Sequence, residues 1–160
     1  MFLCSPAIAN LEQLQVAYEM QVRSILEYAC PVWCGLLNEV QKVKLEAIQR
    51  LSLSVILGRE TKSHAANLSR LGLTTLDERR LVLAKEFAIK MFIRNRHRGA
   101  FQPNPRFGDN SRVVQPRILL PKMRNARGDK APLNFLGSLI NAMDDEEFQR
   151  MTTPTPPPPP

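Results

Sequence analysis

Long apolar runs are missing from this 160-residue chain. With them goes any segment that could cross a bilayer as a helix, which takes about 20 mainly apolar residues in succession. The opening "MFLCSPAIAN" has neither a basic lead-in nor an apolar block of signal-peptide length. Cysteine is scarce and odd in number, three in all, so reduced thiols in an intracellular setting are expected rather than a disulfide framework. Gly-rich phosphate loops are absent. The two histidines, His64 and His97, have no carboxylate or nucleophile at a spacing that would build a catalytic pair. These absences leave little material for an active site.

What is present favours helices. Hydrophobic residues reach 44%, enough for a real core, and Leu, Ala, Arg and Glu outweigh the β-branched types. Residues 9–30 read as a helix, with Leu11, Leu14, Tyr18, Val22, Ile25, Leu26 and Ala29 at 3–4 spacing. Pro31 lacks a backbone N–H and disfavours helical geometry at Cys30, so the helix is expected to end there, with Trp33 and Leu36 folding back. A second helix is expected from Glu39 to Leu57, its inward stripe being Val40, Val43, Ala47, Ile48, Leu51 and Val55, with Gly58 as its cap. A third runs from His64 to Leu71 and closes on Gly72. Then "TTLDERR" offers Thr75 as N-cap and Glu78 three residues on, a capping box that opens a helix to Arg94. Four helices with short connections predict an all-α fold, a small antiparallel bundle over residues 1–95.

Beyond Asn95 the character changes. Five prolines and four glycines from Gly99 to Gly137 break periodicity, so 96–131 is expected to be irregular, with short extended pieces in "RVVQPRILLP". "PLNFLGSLINAM" regains helical spacing after Pro132, a short terminal helix within 132–150. "TTPTPPPPP" reads as a solvated, extended polyproline tail over 151–160. Charge is uneven too. Between Arg94 and Lys130 stand ten Lys/Arg against Asp109 and Asp129, a surplus of eight, while the whole chain carries only +7. Such a segment points to a polyanion partner, nucleic acid first. Phe101 and Phe107 lie among these cations, where base stacking could accompany phosphate contact.

Two constellations resemble chemistry without supporting it. Cys30 and Cys34, in "RSILEYACPVWCG", stand four apart with no second pair, short of a four-ligand zinc site, and read as buried structural thiols. Met143-Asp144-Asp145 looks like the x-D-D of a polymerase hairpin. Two-metal phosphoryl transfer needs carboxylates converging from separate segments. Here the pair runs into Glu146 and Glu147 beside a helix, and a solvated acidic helix end is expected. No cofactor or metal is called for.

Read together, "YEMQVRSILEYACPVW", "KVKLEAIQRLSLSVILG" and "LSRLGLTTLDERRLVLAKEFAIKMF" resemble the C-terminal end of non-LTR (LINE-type) retrotransposon reverse transcriptases. That family carries R-x-x-L-E-Y-x-x-x-x-W, then L-E-x-I-Q-R, then L-x-x-L-x-x-R-R. The matching positions here are Arg23, Leu26, Glu27, Tyr28 and Trp33, then Leu45, Glu46, Ile48, Gln49 and Arg50, then Leu73, Leu76, Arg79 and Arg80. The likeness runs in order from about residue 10 to 143. It implies a polymerase thumb and the region after it, which contacts the template–primer duplex, with "EYACPVW" a helix terminus packed by Tyr28 and Trp33. The palm that carries the catalytic aspartates, the fingers and the endonuclease are not in this sequence, so no polymerase activity is implied.

The expectation is therefore a non-catalytic chain with residual, nonspecific DNA or RNA binding through Arg94, Arg96, Arg98, Arg112, Arg117, Lys122, Arg124 and Arg127. A different class of reading is a helical protein-interaction module, with a partner on an exposed apolar helix face at Leu14, Val22 and Ile25. A third is a mobile-element remnant without selected function.

Overall fold

The computed structural model describes residues 10–60, 62–94, 101–108 and 116–153. Among these the fold is all-α, with one two-stranded pairing. The chain divides into two compact units, Met1–Cys30 with Leu37–Arg80 and Pro31–Leu36 with Leu81–Pro160. The sequence places a boundary after residue 95, but the two units divide between Arg80 and Leu81, inside the helix that ends at Arg94. The later turns of that helix bury Ala84, Ala88 and Ile89 in the core of the second unit, and packing overrides the local change in composition.

The first unit opens with α1 (Leu11–Ala17), a π-helical turn (Tyr18–Arg23) and α2 (Ser24–Glu27). The wider π turn shifts the phase of the helical faces. Tyr18 is consequently buried while Ile25, expected on the same stripe, is 74% exposed. This run stops at Glu27, three residues before the expected end. The break falls at Ala29, whose φ of +49° lies in the left-handed region. Pro31 is not the terminator. It occupies the short helical turn α3 (Cys30–Trp33), where its missing N–H leaves no bond unmade. Tyr28, expected to pack the helix end, is 79% exposed, and Leu36 is also largely exposed.

Helix α4 (Glu39–Leu57) keeps the expected bounds. Asn38 and Gln41 cap it reciprocally, the Gln41 N–H donating to Asn38 Oδ1 at 2.8 Å and the Asn38 N–H to Gln41 Oε1 at 3.0 Å. Gly58 closes it at φ +52°. Its inward face, however, is not the expected stripe. Gln49, Leu53 and Leu57 are buried, whereas Val40, Val43, Ile48, Leu51 and Val55 are exposed. Leu53 and Leu57 pack with Leu68 and Leu71 of α5 (His64–Leu71). Helix α4 carries apolar residues on two arcs, and polar anchoring decides between them. The Glu46 carboxylate accepts from the Leu76 N–H at 3.2 Å and lies 3.0 Å from His64 Nε2, while Gln49 Nε2 donates to the Thr74 carbonyl at 3.1 Å. Those bonds tie α4 to the starts of α5 and of α6 (Leu76–Arg94). Thr75 and Glu78 form the expected capping box at the head of α6, both bonds 3.2 Å.

The second unit is built on the far part of α6, α8 (Pro132–Ala142) and α9 (Asp145–Thr152), with α7 (Ala126–Asp129) a single turn between. The one terminal helix expected over 132–150 is therefore two, parted at Met143 and Asp144. Asp144 accepts from the Glu147 N–H at 2.6 Å and starts α9 as its N-cap, because a side-chain acceptor there satisfies an otherwise orphaned donor. Met151 and Thr152, assigned by sequence to the tail, belong to α9, and residues 154–160 lie outside the described residues. Strands β1 (Gln102–Pro103) and β2 (Ile118–Leu119) pair antiparallel. The Asn141 side chain brackets Ile118, accepting from its N–H at 2.8 Å and donating to its carbonyl at 3.0 Å. Leu120 packs closely on α8 at Gly137, where an added Cβ would have to push the Leu120 side-chain tip aside.

Two outcomes follow. Leu53→Ala is expected to lower stability by about 2–5 kcal/mol in urea unfolding, and Leu51→Ala to change it by no more than about 0.5 kcal/mol; the reverse order would show the helix turned the other way. Burial pushes the Tyr18 phenol above its ordinary 10.0, with the Gln49 side chain opposing. The folded chain keeps this proton at a pH where the unfolded chain has lost it, so the contribution is fully present below pH 10.0 and is lost as pH rises through the folded value. The difference in tyrosinate absorbance between the chain and Tyr18→Phe is expected to have its midpoint above 10.0, and a midpoint at or below it would contradict the burial.

Candidate nucleic-acid interface

Of the eight cations singled out by sequence, Arg96, Arg98 and Arg112 lie outside the described residues, and Arg127 is placed by its backbone alone, in α7. Arg94, Lys122 and Arg124 are exposed and belong to the second unit. Arg94 ends α6, where a cation faces the negative end of the helix dipole. Lys122 and Arg124 follow β2 on an irregular stretch. The residues that alternate with them, Pro121 and Met123, line an open apolar trough of about 580 Å³ with Leu119, Leu120 and Leu133. Arg106 and Lys130 are exposed as well; the sequence counted their charge without selecting them. None of these five forms an ion pair among the described residues.

Arg117 is different and leaves the phosphate-contact set. It is only 9% exposed. Its Nη1 donates to the carbonyls of Ile140, at 3.2 Å, and Met143, and its Nη2 pairs with Asp145. The guanidinium also lies 4.8 Å from the Phe148 ring centroid and 5.3 Å from that of Phe107. Ile140 lies in the last turn of α8 and Met143 is its C-cap, so both carbonyls lack partners within the helix. The physical reason for the withdrawal is that a cation at a helix C-terminus both satisfies such acceptors and meets the dipole favourably. Its partner Asp145 stands 28 positions away, beyond the reach of any local pattern.

The aromatic residues expected to stack bases are partly committed. Phe101 packs against the cluster of Ala88, Ile118, Leu136 and Ile140. Phe107 is 46% exposed, with one face toward Arg117. The acidic run has structural uses, since Asp144 caps α9, Asp145 pairs with Arg117, and Glu147 pairs with Lys85 at 2.6 Å. Cys30 is buried and Cys34 packs, partly buried, against the second core, as expected of structural thiols. Among the described residues no helix is long and apolar enough to cross a membrane.

In the first unit, Arg79 joins Glu27 at 3.2 Å, and Arg23 reaches the same carboxylate at 3.5 Å. Arg80 is 1% exposed with Asp77 at 3.4 Å, and its Nε and Nη1 have no hydrogen-bond partner among the described residues. The Arg79–Arg80 pair of the L-x-x-L-x-x-R-R pattern is thus drawn into the unit. No protein-family model matches the chain, and no curated protein or solved structure shows significant similarity to it.

Arg117→Ala is expected to cost about 1.5–3 kcal/mol, the range for losing hydrogen bonds to a charged group. Arg124→Ala is expected to stay within about 0.5 kcal/mol. Equal losses in denaturant titration would mean that Arg117 does not clamp the ends of α8 and α9.

Proposed function

We propose that this chain is a non-catalytic helical segment that binds DNA or RNA without sequence preference, as its resemblance to the C-terminal region of a non-LTR reverse transcriptase implies. The observation that carries this reading is the set of exposed cations without ion pairs among the described residues, Arg94, Arg106, Lys122, Arg124 and Lys130, in the stretch that holds the chain's whole surplus of positive charge. Arg96, Arg98, Arg112 and Arg127 complete the phosphate set, and Arg117 instead binds the ends of α8 and α9. Phosphate neutralisation is sequence-independent, so the chain adds affinity and orientation to whatever catalytic or specific part acts beside it. The setting is intracellular, where nucleic acid is available and the thiols stay reduced.

Each neutralised phosphate contributes about −0.9 to the slope of log affinity against log salt on duplex DNA. Nine contacts therefore predict a slope of roughly −8. Fluorescence anisotropy with a labelled duplex, across about 50–200 mM salt, is expected to show a straight line of that steepness. Lys122→Ala with Arg124→Ala should flatten it by about two contacts. Affinity independent of salt would remove the reading.

A further inference from the structure

The outward face of α4 carries an inference independent of nucleic-acid binding. Val40, Val43, Ala47, Leu51 and Val55 recur at three- and four-residue spacing with Ile48 beside them, so they form one stripe along the helix. It is about 22 Å long at the α-helical rise. Val40, Val43, Leu51 and Val55 are 64–70% exposed and Ile48 is 43%. The stripe is not merely apolar. Lys44 projects within it and Arg50 lies at its edge, both exposed and neither in an ion pair among the described residues. The one carboxylate between Val40 and Val55, Glu46, points inward to His64 and the Leu76 N–H. Lys42, on the flank, is already paired with Glu39 at 3.0 Å.

This charge pattern selects among occupants. A second copy laid parallel would set each cation against itself. Laid antiparallel about the middle of the stripe, it would bring Lys44 to the height of Arg50. Either way like charges would be desolvated together, which disfavours self-association. A membrane surface is better met by a face with aromatic or leucine anchors and cations on the polar side, whereas this stripe has no aromatic residue and a cation in its midst. A nucleic-acid backbone has no use for a dry aliphatic stripe. A helix that offers small and branched apolar side chains to the stripe, with carboxylates opposite Lys44 and Arg50, would cover the apolar surface and pair both charges.

We propose that the outward face of α4 docks an acidic amphipathic helix of a partner protein. The sequence expects a partner surface on Leu14, Val22 and Ile25; Leu14 and Val22 are half-buried, and Ile25 alone of the three is exposed. The docking surface is instead the stripe that sequence periodicity assigned to the core.

The test uses the full chain and two synthetic amphipathic helical peptides with the same leucine stripe, one flanked by glutamates and the other by lysines. Titration calorimetry is expected to show the acidic peptide binding at least tenfold more tightly. Lys44→Glu with Arg50→Glu should reverse that preference, and Leu51→Asp should abolish binding of either peptide. Lys122→Ala with Arg124→Ala should leave it unchanged, which separates this face from the basic segment. All these positions are exposed, and unchanged melting by circular dichroism confirms that each variant folds. Equal binding of the two peptides, no binding, or loss of binding in the Lys122/Arg124 variant would overturn the proposal. So would Leu51-dependent dimerisation in light scattering, or Leu51-dependent binding to phosphatidylserine vesicles.

Discussion

Three polar contacts near the middle of α4 set the rotation of that helix. Glu46 and Gln49 reach across to His64, Thr74 and Leu76, satisfying backbone groups at the turn between α5 and α6. A buried amide or carboxylate without such partners costs about as much as an apolar side chain left in water. A lost partner for a charged group costs about 1.5–3 kcal/mol, while full burial of one aliphatic side chain gains a similar amount. The helix is therefore held with the Glu46 carboxylate and the Gln49 Nε2 donor partnered, although Gln49 Oε1 has no hydrogen-bond partner among the described residues, and with Leu53 and Leu57 on α5. Its longer aliphatic stripe is left facing outward.

The second unit follows the same logic with the opposite charge. Arg117 closes the C-terminus of α8 through its last carbonyls and meets the acidic start of α9 through Asp145. Phe92 and Phe148 pack edge to face, centroids 6.0 Å apart, and Phe148 also stacks on the guanidinium. One side chain thus joins two helix ends and an aromatic pair. Arg94, Arg106, Lys122, Arg124 and Lys130, without ion pairs among the described residues, stay exposed in the same unit.

Local chemistry was legible in the sequence wherever the determinant is local. The bounds of α4, the close of α5 on Gly72, the Thr75–Glu78 box and the start of α8 at Pro132 all rest on capping or backbone restriction within four residues. What periodicity misjudged depends on distant partners. The inward face of α4 was misassigned because Glu46 and Gln49 count as polar, and hence outward, until their acceptors and donors on another helix are known. Arg117 counted as a surface cation for the same reason. The π turn at Tyr18–Arg23 altered the phase of the first helical run without any sequence mark, and Asp144 split the terminal helix where a run of acids read as one helix end. The charge asymmetry needed no structure, since it depends on composition alone.

The account stands on the rotation of α4. Hydroxyl-radical footprinting of the intact chain, read by mass spectrometry at single side chains, reports that rotation directly. Leu51, Val40 and Val55 are expected to be modified several-fold faster than Leu53 and Leu57. Protection of Leu51 together with rapid modification of Leu53 would contradict it, and with it both the polar anchoring of the helix and the docking face.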